Sequence, residues 1–240
     1  KYEKQLLEIY KENKDFIKPK SRMNEITNFV SSGLKDISIS RKNIKWGIPV
    51  KDNNEHFIYV WLDALINYIS ALGWHEGNEK FKNFWPADIH LIGKDITRFH
   101  SVYWPAFLIA AGLEIPKTIF SHGFLLNKGE KISKSLGNTI NPVELTKHYG
   151  VDQLRFYLLS STPFGNDGNY SHELITNHVN ANLSNDLGNL SQRCLKMIMD
   201  KCDSKIPNIG NLTDEDLEII KNSSKLYESC LVSMNNYLIH

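Results

Sequence analysis

The sequence predicts an α/β chain in which a parallel-sheet region passes into a region built of helices alone. Three observations carry this expectation. The apolar runs FIYVWL at 57–62 and DIHLIG at 88–93 are each followed by a helical pattern, the alternation that parallel strands and crossover helices produce. Beyond Gly168 the spacing of apolar residues is helical only. Between the two regions lies a loop rich in lysine and serine, GEKISKSLG at 129–137. With 240 residues, of which 41% are hydrophobic, the chain is long enough to bury a substantial core.

Taken in order, residues 1–36 read as two helices, with Leu6, Leu7, Ile9 and Tyr10 and then Ile26, Phe29, Val30 and Leu34 spaced for a buried face. This stretch reads as a lead-in without chemistry of its own. FIYVWL reads as a buried strand ending at Trp61, and DIHLIG as a second strand ending in Gly93-Lys94-Asp95. In open parallel sheets ligands collect at the carboxyl ends of strands, where these residues are expected to stand. After the loop, 143–148 and 151–159 read as helices, with Asn141 as N-cap and Pro142 in the first turn. Ser171 is placed to cap a long amphipathic run at 172–199, and Thr213 precedes a helix whose first turn is acidic.

Charge, cysteine and hydropathy patterns narrow the function classes. Formal charge is +1, with 22 basic against 18 acidic residues up to position 170 and 6 against 9 beyond it. Any nucleic-acid contact must therefore come from a local patch rather than a global field. Cys194, Cys202 and Cys230 contain no Cys-x-x-Cys pair and cannot all pair, so zinc and a disulfide framework are disfavoured and a reducing, cytoplasmic setting is expected. The apolar run at 103–113 is too short to span a bilayer, and no signal-like segment is read at the start.

The loop has its own chemistry. Attack on the α-phosphorus of ATP expels pyrophosphate, and the charge that develops needs donors that meet it in the transition state. Lys134 is expected to make the decisive contact, Lys131 to help neutralise the phosphates, and Ser133 and Ser135 to supply hydroxyl donors. A lysine- and serine-rich pentapeptide taken alone is more often a solvated surface turn, so the neighbouring motifs decide its meaning.

Lys131-Ile132-Ser133-Lys134-Ser135 resembles the Lys-Met-Ser-Lys-Ser signature of class I aminoacyl-tRNA synthetases, with Ile132 in place of methionine. Trp61-Leu62-Asp63-Ala64-Leu65 with Tyr68, and Gly93-Lys94-Asp95 with Arg98, Phe99 and His100, resemble the methionyl members of that class. Some of those members carry proline where this chain has Leu65. The resemblance implies the second half of a Rossmann-like nucleotide-binding domain followed by an α-helical anticodon-binding bundle. Its expected divisions are 1–56 for the lead-in, 57–127 for the catalytic half-domain, 128–168 for the signature loop and stem-contact helices, and 169–240 for the start of the bundle.

It further implies a methionine-tRNA ligase. ATP and methionine are its expected small substrates, Mg2+ accompanies ATP, and initiator and elongator methionine tRNAs accept the product. Trp61, Ala64, Leu65, Tyr68 and His100 are expected to surround the methionine side chain, where aromatic rings suit a thioether. Gly93 and Asp95 are expected to meet the nucleotide together with Lys131, Ser133, Lys134 and Ser135. Asn189 and Arg193, in a segment similar to the family's Asn-Leu-x-x-Arg, share a helix face and are expected to read anticodon bases. No metal site is expected within the chain. The family's His-Ile-Gly-His signature is absent, His90-Leu91-Ile92-Gly93 being a look-alike without the second histidine, so the chain is expected to be a fragment, inactive alone. A class I synthetase of other specificity and a non-catalytic tRNA-binding or regulatory module remain open at this point.

Overall fold

The computed structural model describes residues 1–42, 44, 46–133 and 135–240. The chain divides into two compact units, Lys1–His122 and Gly123–His240.

In the first unit, α1 (Glu3–Glu12) places Leu6 and Tyr10 one turn apart on its buried face, with Glu3 in the first turn and Lys11 in the last, each favourable to the helix dipole. A short strand β1 (Ile17–Lys18) follows, then α2 (Lys20–Ser31), which buries Met23, Ile26 and Val30. The Glu3 carboxylate accepts from the Leu34 amide at 2.7 Å and ties the start of α1 to the end of α2. Next come β2 (Ser40–Arg41), β3 (Pro49–Val50) and β4 (Asn53–Ile58), which pair antiparallel in the order β2-β4-β3. Helices α3 (Val60–Ser70) and α4 (Glu79–Phe84), strand β5 (Ile89–Gly93), helix α5 (Trp104–Ala110) and strand β6 (Thr118–His122) complete the unit. Strands β1, β6 and β5 form a parallel sheet in that order, with Ile17 opposite Ile119 and Gly93 opposite His122.

Two expectations need correction. The run at 57–62 is not a buried parallel strand: Phe57 and Ile58 close β4 in the small antiparallel sheet, and Val60 already begins α3. Tyr59, extended at φ −65° and ψ 127°, is the joint. A short apolar run satisfies strand and helix periods alike, and here Leu65 and Ile69, one turn apart and buried, settle it for helix. The lead-in, in turn, does more than precede the domain. It contributes β1 to the parallel sheet, and Phe16 and Ile17 are fully buried among Leu6, Ile26, Val30 and Ile119. A two-residue strand running into Pro19 has too little pattern to be visible locally.

In the second unit, β7 (Leu125–Asn127) and β8 (Glu130–Lys131) form a hairpin closed by Lys128 and Gly129, both at positive φ (52° and 83°), as a tight two-residue turn between twisted strands requires. Helices α6 (Pro142–Tyr149) and α7 (Val151–Ser160) lead to β9 (Gly168–Tyr170), which pairs parallel to β7. The Asn141 side chain accepts from the Val143 amide at the start of α6, as its position before Pro142 predicts. Helix α8 (His172–Val179), capped by Ser171, continues through a nine-residue π-helical stretch (Asn180–Gly188) into α9 (Asn189–Lys201). Leu154, Tyr157 and Ile175 form the core here, and the Tyr157 hydroxyl donates to the Asn169 carbonyl at 2.6 Å.

Last, α10 (Asp214–Asn235) starts with a reciprocal cap. The Thr213 hydroxyl accepts from the Asp216 amide while the Asp216 carboxylate accepts from the Thr213 amide. Among the described residues none beyond Ile175 is buried, so α9 and α10 are formed but leave apolar residues such as Leu195, Met197 and Ile219 exposed. No helix among these residues is long and apolar enough to cross a membrane.

Candidate active site

The first unit gathers its aromatic and imidazole groups around β5 and the helices beside it. Because Trp61 lies in the first turn of α3, Trp61, Ala64, Leu65 and Tyr68 fall on successive turns of one helix face. Facing them is a π-helical turn, Phe99–Tyr103, which follows a 3-10 turn, Lys94–Ile96, at the end of β5. Such turns recur at functional sites because the extra residue re-aims side chains.

Trp61 stacks on Phe99 with ring centroids 3.9 Å apart and planes 10° from parallel, and meets His100 edge-on at 6.3 Å. The Tyr68 hydroxyl lies 2.9 Å from His100 Nε2. His100 Nδ1 lies 3.1 Å from the Ile96 carbonyl, which can only accept, so Nδ1 carries the proton and Nε2 accepts from Tyr68. Burial pushes His100 below the ordinary imidazole value, opposed by that backbone hydrogen bond, and raises the Tyr68 phenol, so both groups hold the neutral forms the pair needs.

Within this set the expected residues have different surroundings. Trp61 is half-buried, Ala64 is exposed and Tyr68 retains 36% of its surface. Leu65, at 1%, is packed with Ile69, Trp85, Trp104 and Leu108 beneath that face. Two residues to which the sequence assigned no role in the site belong to the cluster. Phe99 is the partner of Trp61, and its adjacency to His100 was the available signal. His90 is 5% exposed, accepts from Trp104 Nε1 at Nε2 (3.2 Å), and carries the Tyr68 ring on its own at 4.2 Å. Burial, with the nearby His100 adding to it, pushes His90 down to about 4.

Gly93 ends β5 and leads into the turn, and a Cβ there would stand 2.9 Å from Oδ1 of the exposed Asp95 carboxylate, so glycine leaves open space beside that acceptor. Thr97 holds the turn from beneath. Its hydroxyl donates to the Lys94 carbonyl at 2.9 Å and meets the Ser121 hydroxyl of β6, and both hydroxyls are buried. An exposed acceptor beside a side-chain-free backbone suits the hydroxyls and edge of a nucleoside.

The second unit carries the loop. The Lys131 ammonium lies 4.9 Å from the centroid of the Phe124 ring, a cation-π arrangement, at the end of the β7–β8 hairpin. The Asn138 side chain spans the loop, accepting from the Ser133 amide at 2.8 Å and donating to the Lys131 carbonyl at 3.1 Å. The Ser133 hydroxyl accepts from the Leu136 amide and lies 3.0 Å from the Ser135 hydroxyl. Asn138 is a loop-forming residue that composition alone would not single out. Lys134, to which the sequence assigns the decisive contact, lies outside the described residues. Asn189 and Arg193 stand on α9, the first half-buried and the second exposed. Among the described residues no group of three or more histidine, cysteine, aspartate or glutamate side chains is placed to hold a metal ion.

A family model described as tRNA synthetases class I (M) matches residues 1–195. The methionine-tRNA ligase of Brucella suis is 52% identical over 239 residues, an alignment that covers all of this chain and 46% of that protein. The Mycobacterium tuberculosis enzyme of the same name is 50% identical over 228 residues, covering 95% of this chain and 44% of its own length. A solved structure of M. tuberculosis methionyl-tRNA synthetase in complex with methionyl-adenylate matches the whole chain at a TM-score of 0.88 and 48% identity, over 47% of its own length. The apo form of that enzyme matches at 0.84 and 45%. The chain thus spans a little under half the length of these relatives.

Proposed function

Since this chain belongs to the class I tRNA synthetases, we propose that it forms part of a methionine-tRNA ligase, which joins methionine to ATP as methionyl-adenylate with release of pyrophosphate and then passes methionine to its tRNA. One observation carries the reading: the Trp61, Tyr68 and His100 cluster lies in a chain that matches, at 48% identity, a protein whose structure was solved in complex with methionyl-adenylate.

The roles follow from the chemistry of each group. A thioether is soft and apolar, and an enclosure of Trp61, Ala64 and Tyr68 over His100 receives it without a charge to repel or desolvate. Leu65 acts from below, setting the depth of that enclosure through the core it fills. The neutral Tyr68–His100 pair keeps a polar contact in reach of the amino acid while burying no ion. Gly93 and Asp95 receive the adenosine, the carboxylate accepting from ribose hydroxyls.

Adenylate formation is displacement at the α-phosphorus: a methionine carboxylate oxygen forms the new P–O bond and pyrophosphate leaves with the bond electrons. No covalent bond to the protein forms, so catalysis is positioning and electrostatic stabilisation. Lys131 and Lys134 neutralise the departing phosphates, and Ser133 and Ser135 add hydroxyl donors. Mg2+ enters as the companion of ATP. In a second step a terminal ribose hydroxyl of initiator or elongator methionine tRNA attacks the mixed anhydride and releases AMP. Asn189 and Arg193 contact anticodon bases from a helical bundle that begins near residue 169, and the protein works in the cytoplasm.

The test is Lys134→Ala in a polypeptide of the relatives' full length that carries this chain. Adenylate formation is expected to slow by about a hundredfold or more while methionine affinity stays within about twofold. Loss of methionine binding with normal turnover would contradict the assignment.

A further inference from the structure

We propose that His90 is a positioning residue for the methionine end of the site: its neutral ring holds Tyr68 in the orientation from which the Tyr68 hydroxyl meets His100. The inference rests on the reading of Trp61, Tyr68 and His100 as a methionine pocket, and adds to it a residue from a different element.

The hydrogen bonds run in one direction. An indole N–H can only donate, so the 3.2 Å contact from Trp104 Nε1 requires His90 Nε2 to be unprotonated and its proton to sit on Nδ1. At the other end the Ile96 carbonyl takes the His100 Nδ1 proton, leaving His100 Nε2 to accept from Tyr68. Tyr68 closes the path between these anchored imidazoles. Its hydroxyl is held by His100 and its ring rests on His90 at 4.2 Å with planes tilted by 31°, while Trp104 stands at 6.1 Å. Trp85, 6.0 Å from His90 and packed edge-on against Trp104 at 5.9 Å, fixes the floor under both.

Tyr68 projects from α3 with a third of its surface exposed, so its ring orientation depends on what lies beneath it. His90 supplies that support from β5, the strand that also ends in Gly93, which links the floor of the amino-acid pocket to the nucleotide turn three residues on. An imidazole suits the position because it is flat on the Tyr68 side and an acceptor on the Trp104 side. A protonated His90 would present a proton to the Trp104 donor, and the burial that pushes this histidine down to about 4 agrees with a ring that stays neutral.

The experiment is a double-mutant cycle of His90→Ala and Tyr68→Phe in the full-length polypeptide, followed by ATP–pyrophosphate exchange with separate KM values for methionine and ATP. His90→Ala is expected to raise the methionine KM about tenfold and leave the ATP KM within about twofold. Tyr68→Phe is expected to add little on top of it, as for residues acting as one unit. His90→Gln, whose amide oxygen can accept from Trp104 but offers no flat ring, is expected to fall between His90→Ala and the unmodified protein. Should His90→Ala fail to fold by circular dichroism, the cycle is run with His90→Gln: coupling to Tyr68→Phe upholds the proposal and additivity overturns it. A methionine KM unchanged by His90→Ala but raised by Tyr68→Phe overturns the role of His90 while the pocket stands. A methionine KM unchanged by both removes the pocket reading itself, and the proposal with it.

Discussion

Two imidazoles, His90 and His100, stand with ring centroids 6.1 Å apart in the first unit, and burial holds both below the ordinary value of 6.5. That has a measurable consequence for stability. In the unfolded chain each ring takes up a proton near 6.5, whereas folded His90 does so only near 4. Between these values the unfolded state binds more protons, so stability falls as pH falls through this window and is fully present above about 6.5. The contribution from His90 is on the order of 3 kcal/mol at most, from about 2.5 pH units at 1.36 kcal/mol each. Denaturant midpoints measured from pH 4.5 to 7.5 are expected to rise with pH, and His90→Gln is expected to flatten that rise. An unchanged slope in the variant would mean that His90 is charged in the folded protein. At this scale the sequence was legible where chemistry is local. Gly93-Lys94-Asp95 is a turn, Asn141 and Ser171 each cap the helix they precede, and an acidic first turn follows Thr213. His90 was not legible, because its partners Tyr68 and Trp104 come from α3 and α5 and no short window contains all three.

At the scale of elements, the fold depends on contacts that leave little trace in any single segment. Strand β1 has two residues and gains its place from Ile119 and Phe120 of β6, about a hundred positions later. The run at 57–62 shows the opposite failure, a strong apolar pattern that fits two periods, resolved only when Leu65 and Ile69 find Trp85 and Trp104. In the second unit the β7–β9 pairing is similarly remote and rests on a close approach at Gly123. A Cβ there would meet the Asn166 carbonyl carbon and oxygen at 2.2 Å. The neighbouring Phe124 amide donates to Asp167 Oδ1 at 2.8 Å, so the turn cannot retreat without breaking that bond. Gly123→Ala is expected to destabilise the second unit by about 1–3 kcal/mol, read as a lower midpoint in urea, since backbone rather than a flexible side chain must move. A midpoint within error of the unmodified protein would show that the 163–167 turn yields freely. Helices α9 and α10, by contrast, were legible in position from caps and spacing, but their apolar faces are not buried among the described residues.

For the molecule as a whole, the candidate groups fall in two units: the aromatic and histidine cluster with its Gly-Lys-Asp turn in Lys1–His122, and the lysine and serine loop in Gly123–His240. The motifs stand in that order in the sequence, and the relatives that the chain matches are more than twice its length. Methionine activation, as proposed above, is read by amino-acid-dependent ATP–pyrophosphate exchange in the full-length polypeptide, run with each of the twenty amino acids in turn. Exchange with methionine alone is the predicted result, whereas exchange with a different amino acid, or none from a folded protein, would contradict it.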